Sequence, residues 1–351
     1  MKPPRPSKEQ LLLFNILKGD LPTSLDGIDT EIFLDLLRRH RLIPIAHAIL
    51  PLLVDDEREG WKNMIRNQVI RSLQYTSVLE ALVRELRKMG LECIALKGPS
   101  LAQSLYGDVT KRQYRDLDIL IKRSEIKLAV EAAKKLGFSQ YYPKPGLSTK
   151  KLNLYFRSRK EIGMINGRNG IIIEIHTGLY FHHLLKESEA GILYESLENI
   201  EINGTSIRCM SLENTFLYLT YHGGWHLYFR LFWLRDVAFA ISQWDMDHQR
   251  ILSRSKQLGI DRLLGLSLLL IEDLFQVTIP REYHDYLNSN SLILNRLKSI
   301  CSFIYSWSEK PNFKVKLLRL VFFLSVKRGL KYRISVLSNP FHHWYVRKFL
   351  E

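Results

Sequence analysis

Lys97-Gly98-Pro99-Ser100, followed after a short helical segment by Arg115-Asp116-Leu117-Asp118-Ile119-Leu120-Ile121, is the stretch that decides the reading of this 351-residue chain. Successive side chains of an extended strand point to opposite faces, so Asp116 and Asp118 project together while Leu117 and Ile119 turn into a core. Two acids side by side repel unless a cation lies between them. Hard carboxylate oxygens of this kind suit magnesium, which is usually held by one or two carboxylates together with substrate phosphates. The preceding Gly98 lets the chain approach a ligand closely, and backbone N–H groups at a helix start favour anions. Lys97, Gly98 and Ser100 are therefore the expected phosphate contacts, and Asp116 and Asp118 the expected metal ligands.

Working outward, Glu92 to Leu96 reads as a short buried strand, Ser100 to Tyr106 as a helix and Tyr114 to Ile121 as a second strand. Ser124 is positioned to cap a helix running to Leu136 and stopping at Gly137. Strand candidates follow at Phe138–Tyr142, Leu152–Arg157, Gly163–Ile165 and Gly170–His176. The segment 199–210 alternates around Asn203-Gly204, a strong short-range hairpin signal. Upstream, Ser7 to about Gly90 is helical in period, punctuated by Pro51 and Gly60. Downstream, helical periodicity returns at Ser211-Leu212-Glu213-Asn214 and persists. The expected organisation is a helical segment over 1–90, an α/β core over 91–210 and a helical region over 211–351.

A second acidic signal is Ile171-Ile172-Ile173-Glu174-Ile175-His176. A carboxylate in such an apolar strand costs several kcal/mol unless it is paired or binds a metal. Period two puts Glu174 and His176 on one face. If this strand neighbours that of Asp118, then Asp116, Asp118 and Glu174 surround one site, a trio suited to two-metal phosphoryl or nucleotidyl transfer. Glu174 would then hold the ion on the nucleophile side and accept the hydroxyl proton.

Composition bounds the remaining possibilities. Cys93, Cys209 and Cys301 have neither metal-ligand spacing nor a pairing framework, which fits a reducing, cytoplasmic compartment. The basic start Met1 to Pro6 does not lead into an apolar signal segment. The longest apolar runs, Leu263–Ile271 and Leu317–Val326, reach only about half of the ~20 residues a membrane span needs. The net charge is +15, which attracts polyanions. Residues 310–351 carry ten Lys or Arg against Glu351 alone. That basic tail, with Tyr332, Trp344 and Tyr345, is a candidate surface for RNA or an acidic membrane, set against the simpler account of a solvated helix face.

The ordered set Leu96-Lys97-Gly98, Tyr106-Gly107-Asp108, Arg112 four positions before Asp116-Leu117-Asp118-Ile119-Leu120, and Glu174-Ile175-His176 resembles the uncharacterised nucleotidyltransferase family of the DNA polymerase β-like superfamily. His222, His226, Leu231, Trp233 and Asp236 resemble that family's helical signature, so the likeness covers roughly residues 78–241. It implies an α+β fold, with a small mixed sheet and flanking helices between helical segments. It also implies an NTP donor, ATP being the expected one, two magnesium ions with manganese as the alternative, and transfer of NMP to an acceptor hydroxyl or phosphate that the sequence does not name. Pro99 stands where Gly or Ser is usual, and Arg115 where a small residue is common. Arg112 or Arg115 is accordingly expected to take over phosphate contacts. The nucleotide set is completed by His176, His222 and His226. Position 223 of the His222/His226 pair holds Gly instead of the Glu a zinc protease needs, which disfavours a zinc hydrolase. Two alternatives remain: a catalytically inactive nucleotide-binding protein that uses its basic tail to bind RNA, membrane or a protein partner, and a kinase-like phosphotransferase.

Overall fold

A computed structural model of the chain describes residues 5–179, 191–306 and 313–337. The expected tail residues Lys310, Trp344, Tyr345, Arg347, Lys348 and Glu351 lie outside them. The chain divides by its internal contacts into two units, one formed by residues 1–69 and 212–328, the other by 70–211 and 329–351.

The second unit is built on a seven-stranded mixed sheet. Its strands are β1 (Ile94–Ala95), β2 (Leu117–Leu120), β3 (Ser139–Tyr142), β4 (Glu161–Ile165), β5 (Ile172–His176), β6 (Leu197–Ile202) and β7 (Thr205–Met210), in the spatial order β3-β4-β5-β2-β1-β7-β6. The α+β class follows. β2 runs parallel to β5, with Asp118 opposite Glu174 and Leu120 opposite His176. The adjacency assumed from sequence is therefore present.

Alternation sorts the two central strands into faces. Leu117, Ile119, Ile121, Ile171, Ile173 and Ile175 enter one hydrophobic cluster with Tyr75, Leu79, Leu82, Val83 and Leu86 of the helix Asp55–Lys88, and with Ile126, Ala129 and Val130 of the helix Ile126–Lys135. Each fully buried aliphatic side chain contributes about 1.5–3 kcal/mol. This face anchors the strands, and the opposite face is left to Asp118, Glu174 and His176.

The hairpin expected at Asn203-Gly204 is observed as β6–β7, with Ile202 paired to Thr205 and φ of 48° and 74° at the two turn residues. Positive φ at both positions is the signature of a type I′ turn.

Four local expectations need correction. Leu152–Arg157 lies in the helix Thr149–Ser158, whose start is capped by Ser148 accepting from Lys151 N–H; Leu152, Tyr155 and Phe156 follow helical spacing, with Tyr155 and Phe156 fully buried. Ser124 does not cap a helix but sits inside the 3-10 turn Arg123–Glu125, and the helix begins at Ile126. Gly60 lies within the 34-residue helix Asp55–Lys88 without ending it. β2 starts at Leu117 instead of Tyr114, because Tyr114 and Arg115 are tied to the long helix: Tyr114 Oη donates to Ser72 O at 3.0 Å, and Tyr75 Oη donates to Arg115 O.

The first unit is helical. Lys8–Lys18 opens with a capping box between Ser7 and Gln10, and Thr30–His40 is capped by Asp29. Leu212–Trp225, Phe232–Gln243, His248–Leu258, Asp261–Phe275, Ser291–Ser306 and Phe313–Val326 supply the rest of its main helices. Asp261–Phe275 is apolar around most of its circumference, as a central helix should be. In Phe313–Val326, Phe322 and Val326 are buried while Leu317 and Leu320 are exposed. No helix among the described residues is long and apolar enough to cross a membrane.

His40 is buried in this unit, and its Nδ1 accepts from Leu231 N–H at 3.2 Å. Burial, helped by Arg39 and Arg230, pushes its pKa down to about 3, so folding requires the neutral ring. A depressed histidine pKa gives stability that is complete above the ordinary value near 6.5 and is lost as pH falls from there toward 3. Urea unfolding of the intact protein is expected to weaken by up to about 1.4 kcal/mol per pH unit on acidification below that point. His40→Asn, which keeps an acceptor, should flatten the slope between pH 6.5 and 5; an unchanged slope would show that another group carries it.

Candidate active site

The site is assembled by backbone register. β1 pairs antiparallel with β2, matching Ile94 to Leu120 and Ala95 to Ile119, and Leu96 N–H continues the ladder to Asp118 O at 3.0 Å. The next residue, Lys97, thus emerges beside Asp118, and its Nζ stands 3.1 Å from Asp118 Oδ2. Gly98 then turns with φ 76°, a conformation that favours glycine, and Pro99 begins the helix Pro99–Tyr106. Proline suits this first helical position because its missing N–H has no partner within the helix. The departure at Pro99 is a sound helix start, and it leaves the helix with one N–H fewer at that end.

On the far side of β2, parallel pairing brings in β5. Asp118, 2% exposed, faces His176 Nε2 through Oδ1 at 2.9 Å. His176 Nε2 also lies 3.7 Å from Glu174 Oε2, and its Nδ1 lies 3.6 Å from Glu161 Oε2. One ligand atom from each of Asp118, Glu174 and His176 falls within 4.8 Å of the others. Antiparallel pairing of β4 with β5 places Glu161 opposite His176 and Gly163 opposite Glu174. Tyr142, paired with Gly163 from β3, donates its hydroxyl to Glu174 Oε1 at 2.8 Å.

Electrostatics follows from this crowding. Burial first, then the neighbouring carboxylates Glu161, Asp118 and Asp116, push Glu174 up to about 8. Burial alone would lower His176, but its hydrogen bond to Asp118 and the charges of Asp118, Glu161 and Glu174 prevail and raise it to about 9. Burial, Glu161 and Glu174 also raise the Tyr142 phenol, which keeps it a donor. A crowded acidic cluster in which Glu174 resists ionisation, beside an imidazole, has the chemistry of a divalent-cation site, and the residues present fit one.

Other expected residues occupy varied surroundings. Asp116 precedes β2, partly buried, and acts on Glu174 through its charge. Ser100 is buried, its hydroxyl donating to Lys97 O at 3.1 Å, which shapes the turn. Arg112 is buried and Arg115 exposed. His222 and His226 belong to the helical unit, where His226 stacks on Trp233 with ring centroids 4.7 Å apart and His222 meets the same ring edge-on at 5.7 Å. Gly223 between them is where the Tyr228 ring packs: a Cβ there would meet Tyr228 Cε1 at 2.2 Å.

Glu161, Tyr142 and Gly163 escaped the sequence reading. Beginning β4 at Gly163 hid Glu161; the two-residue alternation Glu161-Ile162-Gly163-Met164, with Ile162 and Met164 in the core, was the available signal.

A family model described as uncharacterised nucleotidyltransferase matches residues 26–276. The chain belongs to that family. No curated protein matches the sequence. Among solved structures, the chain is similar to ANT(2'')-Ia in complex with adenylyl-2''-tobramycin, at 12% identity and TM-score 0.39 over 53% of this chain and 97% of that one. It is likewise similar to an antigenic nucleotidyltransferase-like protein from Paracoccidioides brasiliensis, at 12% identity and TM-score 0.39 over 58% of this chain and 92% of that one. The assignment of this nucleotidyltransferase rests on the sequence match.

Gly163 is required by space. A Cβ at this position would lie 2.2 Å from Tyr142 Cε1 and 2.6 Å from Cζ. Gly163→Ala is expected to destabilise by about 1–3 kcal/mol through overpacking, and to cost much less in a Tyr142→Ala background. Chemical denaturation of the four proteins of this cycle measures the coupling; additive effects would remove the steric explanation.

Proposed function

We propose that this nucleotidyltransferase moves NMP from an NTP, with ATP as the expected donor, to an acceptor hydroxyl or phosphate, releasing pyrophosphate, at the site formed by Asp118, Glu174 and Asp116. The observation that carries the reading is the parallel register of β2 and β5, which seats Asp118 beside Glu174 with Lys97 and the Gly98 turn adjoining. A divalent cation bound by these carboxylates, magnesium being the expected one, would supply positive charge against the triphosphate and lower the pKa of the acceptor hydroxyl.

The chain's own groups define the remaining work. The acceptor oxygen bonds to the α-phosphorus as the bond to the pyrophosphate oxygen breaks, and the hydroxyl proton passes to the Glu174 carboxylate. Tyr142 holds one oxygen of Glu174, leaving the other to face the reaction. Lys97 fixes Asp118 and offers positive charge where the phosphates enter. The Gly98 turn opens space for them, with Arg112 and Arg115 as further phosphate contacts.

A second reading has its own support. Lys97 and His176 each stand against one oxygen of Asp118, the arrangement of a charge-neutralised cluster in a protein that binds nucleotide without turnover. Its partner would be RNA, an acidic membrane or another protein, met through residues 310–351. The kinase-like alternative differs by releasing ADP.

Calorimetry should show ATP binding that depends on a divalent cation, and an acceptor panel should yield pyrophosphate. Asp118→Asn and Glu174→Gln are each expected to lower transfer by about 10²-fold or more while leaving the fold intact by circular dichroism. Transfer unaffected by Asp118→Asn sinks the proposed site; binding without turnover over the whole panel selects the second reading.

A further inference from the structure

We propose that His176 is a direct ligand of the site's divalent cation through Nε2, so that the site prefers a first-row transition-metal dication such as Mn2+ to Mg2+. The proposal rests on the metal-dependent reading above and goes beyond it, since that reading needs only carboxylates and leaves His176 to the nucleotide.

Three observations point the same way. The first is spacing: ligand atoms held ~2.1 Å from one ion stand ~3–4 Å from each other. His176 Nε2 lies 2.9 Å from Asp118 Oδ1 and 3.7 Å from Glu174 Oε2, distances that match ligand spacings around one ion. The second is orientation. A metal-bound imidazole characteristically turns its other nitrogen toward a carboxylate, which fixes the ring and its tautomer. His176 does so, with Nε2 facing the two acids and Nδ1 facing Glu161 Oε2 at 3.6 Å. The third is rigidity: His176 lies on β5, paired at Leu120 on one side and Glu161 on the other, and is 8% exposed. Its ring has little freedom to swing out toward a nucleotide.

Two oxygens and one imidazole nitrogen make a mixed donor set. Magnesium prefers oxygen alone and octahedral geometry, whereas imidazole nitrogen suits transition ions. Lys97 stands against Asp118 Oδ2, and His176 stands beside the other oxygen, Oδ1.

The test uses the full chain stripped of metal. Mn2+ and Mg2+ are each titrated calorimetrically, and the Mn2+ complex is examined by electron spin-echo spectroscopy for modulation from a coordinated imidazole nitrogen. The wild type should bind Mn2+ at least ~10-fold more tightly than Mg2+ and show the nitrogen signal. His176→Asp should still bind Mn2+, lose the signal, and bring the two affinities together. Glu161→Gln should keep the signal with affinity lowered ~10-fold.

Mn2+ binding that Asp118→Asn abolishes, but with no imidazole signal in the wild type, overturns the ligand assignment and leaves the metal-dependent reading standing. A signal that persists in His176→Asp overturns it equally. Failure of both ions to bind, with or without ATP, overturns both. The wild-type spectrum can refute the proposal by itself, so a poorly folding variant does not shield it.

Discussion

The parallel pairing of β2 with β5 is the constraint on which the rest depends, because it sets Asp118 directly beside Glu174 on the polar face of a sheet whose other face is sealed by isoleucine. Holding carboxylates together away from water is costly, by several kcal/mol for each buried ion. The cost is met in two ways. The apolar face supplies burial that keeps the strands paired, and Lys97, His176 and Tyr142 converge on the acids from just past the end of β1, from β5 and from β3. Glu174 still resists ionisation, so compensation within the chain is incomplete.

Two glycines make this convergence geometrically feasible, for different reasons. Gly98 has φ of 76° and lies close to the Leu117 side chain, so it is chosen for a turn that lets the chain reverse immediately after Lys97. Gly163 has an ordinary backbone and is chosen for its lack of a side chain: the Tyr142 ring crosses the space a Cβ would fill in order to reach Glu174. A backbone need and a packing need look identical in sequence.

What was legible followed from local periodicity. Alternation placed Asp118 opposite in sense to Leu117 and Ile119, Asn203-Gly204 announced its hairpin, and the isoleucine run marked Glu174 as a carboxylate requiring a partner. What was hidden depended on register between distant segments. Glu161 and Tyr142 are unremarkable residues until β4 and β3 are aligned on β5, and a one-residue slip in either would send them to the other face. Leu152–Arg157 misled because a short apolar-polar run fits both periods, and only the Ser148 cap and the burial of Tyr155 and Phe156 decide for helix. His222 lies on the helix Leu212–Trp225 and His226 just past its end, and their aromatic partner Trp233 enters through the turn after Trp225, whose path is set by Tyr228 packing on Gly223.

Charge gives the site its chemical character. The chain as a whole carries +15 and draws polyanions toward it. Yet the residues gathered at the head of β2 and β5 are predominantly acidic: Asp116, Asp118, Glu161 and Glu174 outnumber Lys97 and His176. Long-range attraction and local repulsion are thereby separated in space. Under the function proposed above, a triphosphate drawn by the global field would meet acids at close range, where the low dielectric amplifies each charge, and would settle only with positive charge beside it. A protein evolved simply to hold an anion would line its pocket with Lys and Arg. The Gly98 turn is followed instead by carboxylates and an imidazole, the donor set of a divalent-cation site, and that is why the function proposed above brings the nucleotide in together with a cation.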